Sequence, residues 1–168
     1  MRKRIATDTH PHPIIFISHA HKDWRLAASF SNLLSNGIGL SEGEDFFISS
    51  SPTGGVREGE EELSGVRERL TVAEVFIALV TPNYISSPNC NAEMGYIWAE
   101  RKSLNYPVLL YCSMKLQHQP FYFSELKKLQ LMNRTHLKRI YSIFDKIGRA
   151  SRPLSSWDNA VNLFCDQA

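Results

Sequence analysis

The apolar positions of this chain change period in a regular alternation. A short unbroken apolar run, PIIFIS at 13–18, is β-branched and has the form of a strand buried on both faces. Leu26, Phe30, Leu33 and Leu34 then return at helical spacing, with Gly37 as the expected stop. DFFIS (45–49) is a second strand, and Leu63, Val66, Leu70 and Ala73 mark a helix over 60–73. VFIALV (75–80) is a third strand, and PNCNAEMGYIWAERK (88–102) a third helix with Ser87 as N-cap and Pro88 at the first helical position. YPVLLYC (106–112) is a fourth strand, and a short fifth is expected near 129–132. Two amphipathic helices follow. One carries Leu137, Ile140, Tyr141, Phe144 and Ile147 on its apolar face, the other Trp157, Ala160, Val161, Phe164 and Cys165.

Strands alternating with helices imply βαβ units, so the expected class is α/β. The expected architecture is a flavodoxin-like three-layer fold with a five-stranded, mostly parallel sheet in the order 2-1-3-4-5. Such sheets bind ligands beyond the carboxyl ends of their strands, where the strand order switches between strands 1 and 3. Two segments then flank the crevice, SHAHKD (18–23) and TPNYISSPNCNAE (81–93), and the long loop SSSPTGGVREGE after strand 2 can fold over it. Residues 1–12 read as a flexible lead-in and 13–147 as the domain. Residues 148–168 are either a helix docked on it or the start of a linker to an absent region. A minimal domain of this pattern can stop near Ile147, and the linker is the favoured expectation.

Composition narrows the functional classes. A formal charge of +2 without a basic stripe gives no footprint for nucleic acid or anionic membrane. MRKR at the start precedes polar residues, not the apolar core of a secretory signal, and no apolar run approaches the ~20 residues that span a bilayer. Cys90, Cys112 and Cys165 form no pairing framework and read as reduced thiols, which suits a cytoplasmic location. The pairs His10/His12 and His19/His21 have no Cys or carboxylate at ligand spacing, so no metal site is expected. The glycine-bearing loop has no G-K-[ST], and strand 3 ends in LVTPN without a phosphoacceptor Asp. Glu93 is the carboxylate nearest the crevice. On a helical wheel it lies just off the cluster of Cys90, Met94, Ile97 and Trp98. Cys90 reads as a small residue packing the first helical turn, or as a thiol whose pKa the helix N-terminus depresses.

Three stretches, in order, resemble the Toll/interleukin-1 receptor (TIR) domain, and are closest to bacterial members. FISHAHKDWRLAASFSNLL resembles its opening strand, loop and helix. FFISSSPTGGVREGEEELSGVRERL resembles its second strand, long BB loop and following helix. AEVFIALVTPNYISSPNCNAEMGYIWA resembles its third strand and S-x-x-C-x-x-E segment, here Ser87, Cys90 and Glu93. The resemblance implies one of two classes: a non-catalytic adaptor that associates with other TIR domains, or an enzyme that cleaves NAD+ at the nicotinamide–ribose bond. In the second, Glu93 matches the catalytic glutamate, NAD+ is the substrate and no cofactor is needed. Bacterial members of this kind commonly serve in anti-phage defence. Ser18, His19 and Lys22 are expected to face the phosphates, Ser49 the ribose, and Tyr84 and Cys90 to line the same site. Many enzymatic relatives carry an aromatic residue four positions before the glutamate. Here that residue is Asn89, for which Tyr84 is the nearest substitute. Pro52, Gly54, Gly55 and Arg57 fall in the BB loop, which in the family lies at contacts between subunits. The implied partners are NAD+, further copies of the domain and a fused or separate sensor region.

Overall fold

The structure, a computed structural model, describes residues 15–49, 66, 68–100, 106–112 and 127–167. Five strands form one sheet in the order β2-β1-β3-β4-β5. They are β1 (Ile15–Ser18), β2 (Phe46–Ile48), β3 (Val75–Val80), β4 (Tyr106–Tyr111) and β5 (Lys127–Gln130). Every pairing is parallel, with Ile17 opposite both Ile48 and Ile77, and Val80 opposite Tyr111. The expected order is therefore found, and the sheet is wholly parallel. The BB-loop residues Pro52, Gly54, Gly55 and Arg57 lie outside the described residues, as do His10 and His12.

Alternation along the strands divides the apolar side chains into two cores. Ile15, Ile17, Val75, Ile77, Leu79, Val108 and Leu110 point to one face. There they meet α1 (Trp24–Ile38), α5 (Arg134–Lys146) and α6 (Leu154–Gln167). Phe16, Phe47, Phe76, Ala78, Val80 and Leu109 point the other way, towards a helical segment at 68–72 (α2) and α4 (Pro88–Glu100). The rings of Phe16 and Phe76 stack there at 5.9 Å. β3 is buried along its whole length, as its unbroken apolar run requires.

The first helix does not stop at Gly37. It runs to Ile38 and closes at Gly39, whose φ of 88° places it in the left-handed conformation of a helix terminus. Gly37 has a different task. A Cβ there would stand 2.6 Å from Cε3 of Trp157 and 3.2 Å from the Ala160 Cβ, so the missing side chain lets α6 approach α1. Trp157 is fully buried, and Phe164 packs edge-on to Phe30 at 6.4 Å. Residues just before α6 also complete the end of α1. The Ser151 N–H and hydroxyl both donate to the Ile38 carbonyl, and Arg152 Nη1 donates to the Asn36 carbonyl. The stripe of Trp157, Ala160, Val161 and Phe164 is part of the larger core, so α6 docks on the domain.

This packing yields a prediction of unusual sign. In an ordinary helix interior, Gly to Ala stabilises by about 1 kcal/mol. Here Gly37→Ala should instead destabilise by about 1–3 kcal/mol, the usual cost of overpacking a filled core. Denaturant unfolding of the two proteins measures it, and an alanine variant at least as stable as the parent would contradict the packing.

Candidate functional site

The site begins with strand parity. In β1, Ser18 shares the face of Phe16, towards α4, and it is the last residue of the strand. Its hydroxyl therefore emerges at the carboxyl edge of the sheet, on the side where α4 passes. α4 starts from Ser87, whose Oγ accepts from the Cys90 N–H at 3.4 Å, with Pro88 in its first turn. Cys90, Met94 and Ile97 face the sheet and are buried. Glu93, one turn after Cys90, is half-buried beside them.

Ser18 Oγ donates to Glu93 Oε2 at 2.5 Å and lies 2.9 Å from the Tyr84 hydroxyl. Counting hydrogens sets the direction of this chain. A serine hydroxyl carries one proton, and a carboxylate can only accept. While Glu93 is ionised the Ser18 proton goes to it, so Tyr84 must then donate to Ser18. Each donor polarises the next, which strengthens the bond that reaches the carboxylate. Burial still dominates: loss of hydration pushes the Glu93 carboxyl up to about 7, and the Ser18 bond only partly offsets it.

The segment after β3, read from sequence as loop, contains a short helix, α3 (Pro82–Ser86). Thr81 caps it, its Oγ1 accepting from the Tyr84 N–H at 3.0 Å. The start of α3 is tied across the crevice to the segment after β1. Thr81 Oγ1 donates to Asp23 Oδ2 at 2.5 Å, and Asn83 Nδ2 donates to Asp23 Oδ1 at 2.7 Å. Sequence reasoning singled out neither Thr81 nor Asp23 as a site residue.

The remaining expected residues divide by environment. His19 is buried, and its Nδ1 lies 2.8 Å from the Ala20 carbonyl. Burial is the largest influence on it and lowers its pKa, so it is neutral near pH 7 and supplies no countercharge to a phosphate. Lys22 is exposed on the 3₁₀ turn His21–Asp23. Ser49 stands just past β2, its N–H donating to the Ile17 carbonyl at 3.0 Å. Cys90 is buried, and desolvation first, then the Glu93 and Asp23 charges, push its thiol up to about 11, against the pull of its Ser87 bond. A neutral thiol with that pKa packs the turn and is no nucleophile. Tyr84 is fully buried, so it offers the site its hydroxyl and no open ring face. Asn89, four positions before Glu93, is exposed. A separate groove between α1 and α6, lined by Arg25, Leu33, Asn36 and Leu163 among others, contains no carboxylate.

A family profile described as the TIR domain matches residues 15–140, which takes in β1 to β5, α3, α4 and the Ser18–Glu93 pair. The chain is also similar to a Bacillus subtilis (strain 168) protein named Uncharacterized protein YddK, 32% identical over 95 residues. That match covers 56% of this chain and 35% of the relative, so the chain corresponds to about a third of the relative's length. With a five-stranded parallel sheet in the order 2-1-3-4-5 and a family match over most of its length, this chain belongs to the TIR domain family.

Proposed function

We propose that this TIR domain is an NAD+ nucleosidase that cleaves the nicotinamide–ribose bond, with Glu93 as the catalytic carboxylate. The observation that supports this reading best is the Glu93 carboxyl itself, held at the carboxyl edge of a parallel sheet by a directed pair of hydroxyl donors. Glycosidases usually need a second acid to protonate the leaving oxygen. Nicotinamide departs from a cationic pyridinium: the C1′–N bond breaks, its electron pair goes to the ring nitrogen, and the leaving group is neutral. Positive charge then develops on the ribosyl carbon. An anion already in place, with little solvent to reorganise, stabilises that charge. Attack by water gives ADP-ribose and a proton, and attack by the adenine base of the same molecule gives a cyclic isomer. In a bacterial anti-phage setting, such cleavage either removes the cell's NAD+ or supplies a nucleotide signal.

A second reading, a non-catalytic assembly module, is favoured by one observation. Asn89 stands where many enzymatic relatives have an aromatic residue, and the buried ring of Tyr84 does not replace it. Incubation of the purified protein with NAD+ separates the two, because release of nicotinamide belongs to the enzyme alone. Among the described residues, no helix is long and apolar enough to cross a membrane.

Replacing the charge while keeping the shape tests Glu93 directly. Glu93→Gln should lower NAD+ cleavage by about 10²–10³-fold, the usual loss when an electrostatic stabiliser of a transition state is removed. Near-parental turnover in the glutamine variant would remove Glu93 from the mechanism.

The acid–base behaviour gives a second test. If the ionised carboxylate acts, the rate should rise with pH through a midpoint of about 7, because Glu93 is still half protonated there. Stability should run the other way. The folded-state pKa lies above the unfolded value of 4.5, so the folded protein holds this proton more tightly. The associated stability is complete below pH 4.5 and is lost as pH rises through about 7. Glu93→Gln, always neutral, should therefore melt higher than the parent at pH 8 and lose that advantage near pH 4.5. A variant that melts lower at pH 8 would refute the desolvated carboxylate.

Self-association is the remaining part of the proposal, since TIR enzymes act as assemblies. Specific activity should rise with protein concentration or crowding, and light scattering should report larger species over the same range. Constant specific activity from a persistent monomer would exclude the dependence.

A further inference from the structure

We propose that Asp23 is a positioning residue that sets the Tyr84–Ser18–Glu93 donor chain by fixing the hydroxyl cap of α3. The inference rests on Glu93 as the acting carboxylate and adds the group that orients it. Asp23 occupies the N-cap position of α1, where an aspartate ordinarily accepts a backbone N–H and is worth about 1 kcal/mol. Here its side chain makes no cap bond. It turns away from its own helix and accepts from Thr81 and Asn83, 58 and 60 residues along the chain, one to each carboxylate oxygen.

The reason lies in the partner helix. α3 has five residues, far too few to hold its own shape. Its placement depends on the Thr81 hydroxyl, which accepts from the Tyr84 N–H. That hydroxyl has one proton. While the proton points at Asp23, the oxygen's lone pairs are turned to Tyr84, and the Asn83 amide fixes the first turn from a second point. Tyr84 is thereby held with its phenol on Ser18, and the Ser18 proton is directed to Glu93. Without Asp23 the Thr81 hydroxyl can rotate and α3 has no tie to the β1 side of the crevice through it. The first loss is the donor that polarises Ser18.

The test reads Glu93 itself, independently of any NAD+ chemistry, by ¹³C NMR titration of its side-chain carboxyl, assigned with Glu93→Gln. In Asp23→Ala the midpoint should rise by about half a unit or more, because a hydrogen bond to the ionised form weakens. NAD+ cleavage below that midpoint should fall by about threefold or more, in step with the rise of the midpoint, with KM little changed. Removal of a nearby negative charge alone would have the opposite sign and lower the midpoint, so direction separates positioning from simple repulsion. Asp23→Asn should restore most of the parental behaviour, since its amide oxygen still accepts from Thr81 and the Asn83 amide can turn to present its own oxygen. In a Ser18→Ala background, Asp23→Ala should leave the midpoint where Ser18→Ala alone puts it. Should Asp23→Ala fail to fold, Thr81→Val, which removes the hydroxyl at constant shape, carries the same expected rise. A midpoint that stays or falls in the variant that folds, whatever its melting temperature, overturns the proposal. A midpoint that rises in a protein that never releases nicotinamide upholds the positioning role and discards the nucleosidase.

Discussion

The two-sided burial of a short parallel sheet is the constraint from which the rest follows. Each strand must present apolar groups to both faces, so side-chain parity decides which helix layer a residue meets. In β1, Ile15 and Ile17 belong to the α1–α5–α6 layer and Phe16 to the α4 layer. Ser18 inherits the α4 side by parity and the sheet edge by position. Nothing else is required to bring a serine hydroxyl to a glutamate 75 residues away. A one-residue slip in β1 would send that hydroxyl into the opposite core and leave Glu93 without its donor.

The same burial that shapes the site strains it. A carboxyl withdrawn from water is costly to ionise, and among the described residues that cost is relieved by the Ser18 hydroxyl and not by a cation. A salt bridge would hold the group ionised across all ordinary pH, but would also neutralise the field it offers to a ligand. Among the described residues the hydroxyl chain leaves the negative charge uncompensated, as the developing cation of the proposed reaction requires. Stability is thus given up at the residue proposed to carry the chemistry.

Much of this was legible in the sequence because periodicity is a local property. The β-strand runs, the parallel order and the crevice position of Glu93 all come from pattern, and resemblance to the TIR family suggested the role proposed for the glutamate. What escaped the sequence depends on contacts between distant segments. Gly37 looks like a helix stop, yet α1 continues through it because Trp157 fills the space of the missing side chain. Five residues of α3 are too few for a periodic signal, so TPNYI reads as loop. Tyr84 looks like a ring available to a ligand until burial shows that only its hydroxyl serves the site. Asp23 precedes a helix, where a cap is the ordinary explanation, and only the geometry shows it reaching to Thr81 and Asn83. The apolar stripe of α6 was visible, but whether it docked was a question of volume and not of pattern.

The ties from Ser151 and Arg152 to the end of α1 bear on how the molecule comes into being. Carbonyls at Asn36 and Ile38 receive these donors only from a segment more than a hundred residues further along the chain. As the chain leaves the ribosome, α1 can coil early, but its last turn stays unfinished and the notch at Gly37 stays open until residues 151–164 emerge. The apolar surface awaiting Trp157 and Phe164 is therefore bare until that segment arrives. Until that segment is free of the ribosome the larger core cannot close, and the exposed apolar surface is of the kind that makes incomplete chains prone to aggregate.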